Sequence, residues 1–195
     1  MEIEQLVKDF AWGMVSADSR GPTAVNQRGI PYAPGIGPHE EALTVSLVMK
    51  ALSDAYPETY LNRYSEGVPY SNSRQKCDLC FGSPSFDLAV EVKMIRLLGD
   101  NGKPNDNLVT HILSPYAVHR SALTDVSKLS AAGLADHNAI LVYAYDHAEW
   151  PSLPLVEAFE KLASEFAELG PRHSVTFGGL IHPVHQQGTV YGWTI

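Results

Sequence analysis

The apolar residues of the chain recur with two periods, one typical of helices and one typical of strands. Apolar positions three and four residues apart predict four helices, over residues 2–17, 38–54, 118–132 and 153–169. Alternating or continuous apolar runs predict strands over residues 76–81, 86–95, 138–145, 174–181 and 189–195, and a further strand with a turn within residues 60–70. This order of elements predicts an α/β fold with a mixed central sheet flanked by helices.

Residues 75–96 are the most informative stretch, because they place charged side chains inside two apolar strands joined by a turn. Glu91 and Lys93 are two residues apart on the second strand, so they share one face of the sheet. Asp78 lies in the middle of the first strand, where a hairpin brings it beside Glu91. Burying such charges costs free energy unless each has a partner or an ion. The pattern therefore predicts a site that binds a divalent cation and positions a water molecule.

These three residues resemble the signature of the PD-(D/E)XK nucleases, the restriction endonuclease-like superfamily that includes Holliday-junction resolvases and repair nucleases. Cys77 stands where the signature has proline. The resemblance covers residues 38–146 and implies a restriction endonuclease-like core within one domain of residues 1–195. Residues 1–37 then form an N-terminal helix and loop extension, and residues 147–195 add a C-terminal helix and strands.

The resemblance also implies a catalytic chemistry. Asp78 and Glu91, together with the backbone carbonyl of Val92, are expected to hold Mg²⁺, with Mn²⁺ as a substitute, because hard cations prefer oxygen ligands. Lys93 is expected to orient the attacking water or to help deprotonate it, and to stabilise the charge that develops. The predicted activity is metal-dependent hydrolysis of phosphodiester bonds in nucleic acid, with DNA favoured as the substrate.

The second predicted helix begins with two acidic residues, and one of them is expected to complete the metal site. Glu40 is favoured over Glu41, because Glu40 and Leu43 match an E-x-x-L pattern that the resemblance places at the start of this helix. The alternative is that both acids only complement the helix dipole, which favours negative charge near a helix N-terminus.

The charge of the chain is uneven along its length. The formal net charge is −8, which argues against general binding of nucleic acid, but residues 60–128 hold 8 of the 14 basic residues and only 7 of the 22 acidic ones. A locally basic groove is therefore compatible with the sequence. The alternative function is that of a catalytically inactive nuclease-fold protein that acts as an interaction module with an acidic surface.

The remaining expectations concern compartment and assembly. The composition is 45% hydrophobic and 18% charged, which is typical of a globular protein, and no apolar run is long enough to span a membrane. A cytoplasmic protein without membrane contact is expected, and a homodimer is left open.

Three further groups of polar residues have two interpretations each. Asp125 and Lys128 of the third predicted helix either belong to a solvated face or, in the run S-A-L-x-D-x-x-K-L, resemble a later motif of some nuclease-like families, and Arg120, at the entry to this helix, either shares that face or approaches the hairpin. Cys77 and Cys80 have metal-like spacing, but on a strand their thiols are expected on opposite faces, which does not favour zinc. His182 and His185 also have ligand-like spacing, and roles at the surface or in packing are favoured for them.

Overall fold

A mixed β-sheet runs through the centre of the structure. The computed structural model describes residues 1–26, 28–71, 74–105 and 108–195, without the side chain of Leu108. Within these residues six strands are present, β1 (Tyr64–Pro69), β2 (Lys76–Phe81), β3 (Leu88–Arg96), β4 (His137–Tyr145), β5 (His173–Gly178) and β6 (Gln187–Thr194). Their order across the sheet is β1-β2-β3-β4-β6-β5; β3 and β4 run parallel, and the other neighbouring pairs are antiparallel.

Helices cover both faces of the sheet. They are α1 (Ile3–Asp18), α2 (Glu41–Ala55), α3 (Pro57–Tyr60), α4 (Leu108–Leu113), α5 (Ala122–Ala132) and α6 (Leu153–Ala163), with a short 3₁₀ helix at Ala117–His119. α1 and α2 pack against one face, whereas α4, α5 and α6 contact one another on the other side, where α4 and α5 pack on the sheet. The predicted α/β architecture with a mixed, helix-flanked sheet is confirmed. In the described part of the chain, no helix has the length and apolarity that crossing a membrane requires.

The core lies in two apolar layers, one on each face of the sheet. On the first face, Phe10 and Met14 of α1 are fully buried in one cluster with Val90 and Tyr143 of the sheet. On the second face, α5 and α6 bury their apolar stripes in a cluster that includes Trp193. Each large apolar side chain buried in this way contributes about 1.5–3 kcal/mol, so the sequence periodicities that fill both layers determine the fold.

Two helices begin later than the periodicity predicts. α2 begins at Glu41, because Glu40 has an extended backbone conformation and precedes the first helical turn. α5 begins at Ala122, because Arg120 has a left-handed conformation with φ of 48° that ends the preceding 3₁₀ helix. Ser121 then caps α5, its side-chain oxygen accepting a hydrogen bond from the Thr124 amide at 3.3 Å.

Asp18 fastens α1 to two distant segments of the chain. Its carboxylate is buried, and it accepts hydrogen bonds from the amides of Ile36, at 2.8 Å, and Ile181, at 2.7 Å. Asp18→Ala is expected to lower the free energy of unfolding by about 2–4 kcal/mol, because two amides lose their acceptor and each buried unpaired group costs about 1–3 kcal/mol. Urea unfolding followed by circular dichroism measures this change.

The matched control for Asp18→Ala is Asp54→Ala, which removes an acid whose ion pair with Arg20 is exposed. An exposed ion pair contributes at most about 1 kcal/mol, so Asp54→Ala is expected to change stability little. Equal destabilisation by the two substitutions would show that the buried hydrogen bonds of Asp18 are not what holds these segments together.

Candidate active site

A cleft opens where β2 and β3 separate. The pairing of the two strands ends at Val90, and side-chain oxygens then take the place of the neighbouring strand. The amide of Val92 donates to Asp78 Oδ2 at 2.8 Å, and the amide of Met94 donates to Glu41 Oε2 at 2.6 Å. Carboxylates rather than the backbone of a neighbouring strand therefore satisfy this edge of β3.

The cleft has a volume of about 500 Å³, and most of its lining is charged. It brings together all three residues of the predicted catalytic set, Asp78, Glu91 and Lys93. The other lining residues come from α2, from the segment before β2, and from the 3₁₀ helix and α5: Glu41, Arg74, Gln75, Lys76, Ala117, Arg120, Thr124, Asp125 and Lys128.

The acid that α2 contributes to the cleft is Glu41, and the predicted placement of Glu40 there is wrong. Glu40 is exposed, whereas Glu41 Oε1 lies 3.6 Å from Lys93 Nζ. The reason is that Glu40 precedes the first helical turn, and Leu43, its partner in the E-x-x-L pattern, is 50% exposed. The buried stripe of α2 instead runs through Val45 and Val48, with Glu41 at its N-terminal end.

Two lysines and the acids around them form a connected ion-pair network. Lys93 Nζ lies 2.8 Å from Asp125 Oδ2, and Lys128 Nζ lies 2.7 Å from both Asp125 Oδ1 and Glu91 Oε1. The side chain of Asp125 is almost completely buried, so its contacts with the two lysines compensate a charge that water does not reach. The network joins β3 to α5 across the cleft.

Glu91 has an unusually high proton affinity. Its burial is the main cause, the negative charges of Asp78 and Asp125 add to it, and the nearby Lys128 opposes them, with the result that the pKa of Glu91 is raised to about 9. The carboxyl also shares a hydrogen bond with Asp78 and accepts one from the Tyr70 hydroxyl at 2.6 Å. In the ion-free protein Glu91 therefore keeps a proton at neutral pH.

Lys93 is held in its charged form. Burial by itself would lower the pKa of Lys93, but the carboxylates of Glu41, Asp125 and Asp78 outweigh burial and raise it above the usual range. Burial also raises the pKa of Glu41, and Lys93 opposes that rise. A lysine with a raised pKa acts as a fixed positive charge and a hydrogen-bond donor, not as a base.

Asp125 and Lys128 line the cleft and Tyr70 hydrogen-bonds to Glu91, but the predicted catalytic set includes none of the three. The solvated-face interpretation of Asp125 and Lys128 is wrong, because Asp125 is buried and Lys128 contacts Glu91. The sequence does carry a signal for Asp125: it is three residues after Ala122 and four before Leu129, and both of these are buried on the stripe that packs against the sheet. Tyr70 follows β1, and its sequence context gives no comparable signal.

The two cysteines lie on the same side of the sheet, contrary to the prediction. Cys77 and Cys80 are both fully buried in the apolar cluster beneath α5. The hydrogen bond from Cys80 is the main reason that the pKa of Cys77 is lowered. Strict alternation fails here because β2 leaves β3 next to Asp78, and Cys77 Sγ turns toward the carbonyl oxygen of Val90 at 3.4 Å.

The donors of the cleft fit a divalent cation of the Mg²⁺ type. Asp78 and Glu91 are hydrogen-bonded neighbours, and their mutual repulsion when both are ionised is what a cation relieves. Among the described residues, no three carboxylates of the cleft bring their oxygens within 4.8 Å of one another. An ion that takes one or two carboxylates from the protein and completes its shell with water and substrate oxygens, as Mg²⁺ usually does, is compatible with these donors.

Comparison of the chain with protein-family models, with curated proteins and with solved structures finds no match. The likeness to the PD-(D/E)XK nucleases therefore rests on Asp78, Glu91 and Lys93 and on the cleft in which these residues meet.

Proposed function

We propose that this protein is a metal-dependent nuclease of the PD-(D/E)XK type that hydrolyses phosphodiester bonds of nucleic acid, with DNA as the first candidate substrate. The observation that carries the proposal is the convergence of Asp78, Glu91 and Lys93 in one cleft at the open edge of β3. The order of α2, the meander β1-β2-β3, α5 and the parallel strand β4 is that expected of a restriction endonuclease-like core.

The charge of the cleft supports an anionic substrate. Although the chain has a net charge of −8, the cleft is lined by five cationic side chains and four acidic ones. A bound divalent cation would make this surface more positive still. Arg74 and Arg120 lie at its outer part, on the segment before β2 and next to the 3₁₀ helix, where they can pair with phosphates that flank the reacting one.

The side chains divide the chemistry among them. Asp78 and Glu91, with the carbonyl of Val92, would hold Mg²⁺, which when bound polarises a phosphodiester and makes a coordinated water more acidic. Lys93, held in its charged form, would donate a hydrogen bond to a phosphoryl oxygen and stabilise the negative charge that grows there in the transition state. The expectation that Lys93 could deprotonate the water is not favoured by its raised pKa.

Lys128 occupies the position in which a cation would meet Glu91. Its ammonium group lies 2.7 Å from Glu91 Oε1 and from Asp125 Oδ1. If Glu91 held a metal ion, Lys128 would leave that carboxylate, because two cations so close to one oxygen repel each other. The released ammonium can then pair with a substrate phosphate while it keeps its contact with Asp125.

Incubation with nucleic acid tests the proposal directly. Plasmid, single-stranded DNA and RNA are each incubated with the protein in Mg²⁺, in Mn²⁺ and in EDTA. Cleavage of any of them that EDTA and the substitution Asp78→Asn both abolish would support the nuclease. An intact wild-type protein that cleaves none of them, and whose melting temperature no divalent cation raises, would contradict it.

The assignment of Glu41 to the site gives a separate prediction with an internal control. Glu41→Gln is expected to weaken Mg²⁺ binding about tenfold, which corresponds to about 1.4 kcal/mol, because it removes a negative charge from the edge of the cleft. Glu40→Gln, which alters the exposed neighbour, is expected to leave Mg²⁺ binding unchanged. Isothermal titration with MgCl₂ measures both, and a larger effect of Glu40→Gln would restore the original assignment.

One observation favours the alternative of a catalytically inactive nuclease-fold module. Each cleft acid already has a partner within the chain: Asp78 and Glu41 accept backbone amides, and Glu91 and Asp125 pair with Lys128. A network that is complete without an ion needs no ion to fold. Thermal stabilisation by Mg²⁺ distinguishes the two functions, because the nuclease requires it and the inactive module does not.

A further inference from the structure

A second cluster of ligand-type side chains lies away from the cleft, at the carboxyl end of β3. Asp100 follows β3, and His182 and His185 come from the segment between β5 and β6. One ligand atom from each of the three lies within 4.8 Å of the other two. His182 and His185 are 1% and 0% exposed, so of the two roles favoured for them the surface role is wrong, whereas burial agrees with a role in packing.

The spacing of the cluster is close to that of a metal site. Bonds of about 2.0–2.2 Å in a tetrahedral site put neighbouring ligand atoms about 3.4 Å apart. Asp100 Oδ1 and His185 Nε2 are 3.1 Å apart, which already meets that spacing. The imidazole of His182 stacks on that of His185 with ring centroids 4.9 Å apart, and its Nδ1 accepts two hydrogen bonds of 3.3 Å that are long enough to give way to a metal bond.

The backbone around the cluster holds His185 in place. A Cβ atom at Gly37 would lie 2.7 Å from the Cβ and Cδ2 atoms of His185, so glycine is required for the two segments to approach this closely. The ring of Tyr145 covers the imidazole at a centroid distance of 4.9 Å. His185 therefore keeps one position whether or not a ligand is present, which makes the cluster preorganised for binding.

Two imidazole nitrogens near the cluster are buried without a partner. Among the described residues, neither His185 Nδ1 nor His147 Nε2 has a hydrogen-bond partner, and the two rings lie 6.0 Å apart. An unpaired buried polar atom costs about 1–3 kcal/mol, so its presence indicates that something else satisfies it in the working protein. His147 is thus an additional donor close to the cluster.

We propose that Asp100, His182 and His185 bind a transition-metal ion with the preferences of Zn²⁺. Two imidazoles and one carboxylate are a donor set that zinc accepts, whereas Mg²⁺ prefers oxygen ligands throughout. The fourth position is left to water or to His147. Arg96, 3.6 Å from Asp100 Oδ1, competes with the ion for this carboxylate and has to release it on binding. This proposal is independent of the nuclease activity.

The proposed ion connects segments that are far apart in the chain. It joins the loop after β3 to the segment between β5 and β6, which already contacts the segment before α2 through Gly37. That segment leads directly into Glu41, so the ion would brace the start of α2 against β3 near the cleft. Its role is structural: it stabilises the folded state because it binds that state and not the unfolded chain.

Cobalt titration of the full chain tests the site, because Co²⁺ substitutes for Zn²⁺ and absorbs visible light when a protein holds it in low coordination. The protein is first freed of metal with a chelator. Wild type is expected to bind one equivalent of Co²⁺ with such a band, which Zn²⁺ abolishes, and to gain thermal stability from Zn²⁺. Asp100→Asn and His182→Gln are expected to lose at least tenfold in affinity.

Two control variants make the result specific. His137→Gln changes an exposed histidine at the start of β4, and Asp78→Asn changes the cleft; both are expected to keep the cobalt band. Circular dichroism confirms that each variant is folded. Wild type without a band and without stabilisation by Zn²⁺ overturns the proposal, as does a band that survives both Asp100→Asn and His182→Gln, or one that only Asp78→Asn removes.

Discussion

Lys93→Met is expected to reduce cleavage of nucleic acid by about 10²–10³, while binding of Mg²⁺ persists. Removing one preorganised charge that acts chiefly in the transition state typically has an effect of this size. Methionine keeps most of the buried volume of the lysine. Asp125 retains Lys128 as a partner, so the variant is expected to fold with lower stability than wild type. Initial rates on a labelled substrate and a thermal shift with MgCl₂ measure the two properties separately.

Two other variants make the interpretation of Lys93→Met specific. Asp78→Asn is expected to lose both cleavage and the thermal response to Mg²⁺, because it removes an anionic ligand rather than a transition-state charge. Lys50→Met removes a lysine that is 68% exposed on α2 and is expected to change neither property. If Lys93→Met and Asp78→Asn respond equally to Mg²⁺, or if cleavage survives both, the three-residue motif is structural and the inactive module replaces the nuclease.

The ion-free protein is expected to lose stability as the pH rises from 5 to 8, and Glu91 is the reason. Its pKa is raised from 4.5 to about 9, so the folded state keeps a proton that the unfolded state has released. The stabilisation is complete below pH 4.5 and is lost as the pH rises toward 9. At about 1.4 kcal/mol per pH unit, the contribution of this one group falls by up to ~4 kcal/mol over that range.

Glu91→Gln isolates this contribution from those of other titrating groups. Glutamine cannot ionise, so the difference in unfolding free energy between the variant and wild type is expected to shift in favour of the variant between pH 5 and pH 8. Urea unfolding at several pH values in EDTA provides the measurement. Parallel pH profiles would mean that Glu91 is ionised throughout, with Lys128 as its counter-ion. Saturating Mg²⁺ is expected to remove the pH dependence of wild type.

The fold could be predicted from the sequence because its helices and strands bury regularly spaced apolar residues. β2 has the predicted boundaries, and α1 and β4 are displaced by no more than one residue, since their apolar periodicities are unbroken. Where local backbone chemistry intervenes, the prediction fails. Arg120 in a left-handed conformation divides the predicted third helix into a 3₁₀ turn and α5, and no periodicity in the sequence marks this break.

Only the part of the candidate site that lies on one hairpin could be predicted from the sequence. Strand alternation and a short turn place Asp78, Glu91 and Lys93 together. Both are local properties of the sequence. Glu41 and Asp125 come from two helices on opposite faces of the sheet, and their position depends on how each helix is rotated about its axis. That rotation is set by tertiary packing, which the sequence does not show. For this reason the sequence favours Glu40 over Glu41 and leaves two interpretations of Asp125.

The attachment of α1 through Asp18 has a consequence for the order in which the protein folds. Asp18 and Ile181 are 163 residues apart, and α1 packs mainly on β5, β6 and α2. Closing so long a loop costs conformational entropy, which slows the formation of contacts between distant residues. The contacts of Asp18 with Ile181 therefore form after the local β1-β2-β3 meander. During synthesis, the apolar face of α1 has to wait for β5 and β6, which are made long after it. α1 is therefore the element most in need of protection by a chaperone while the chain is still growing.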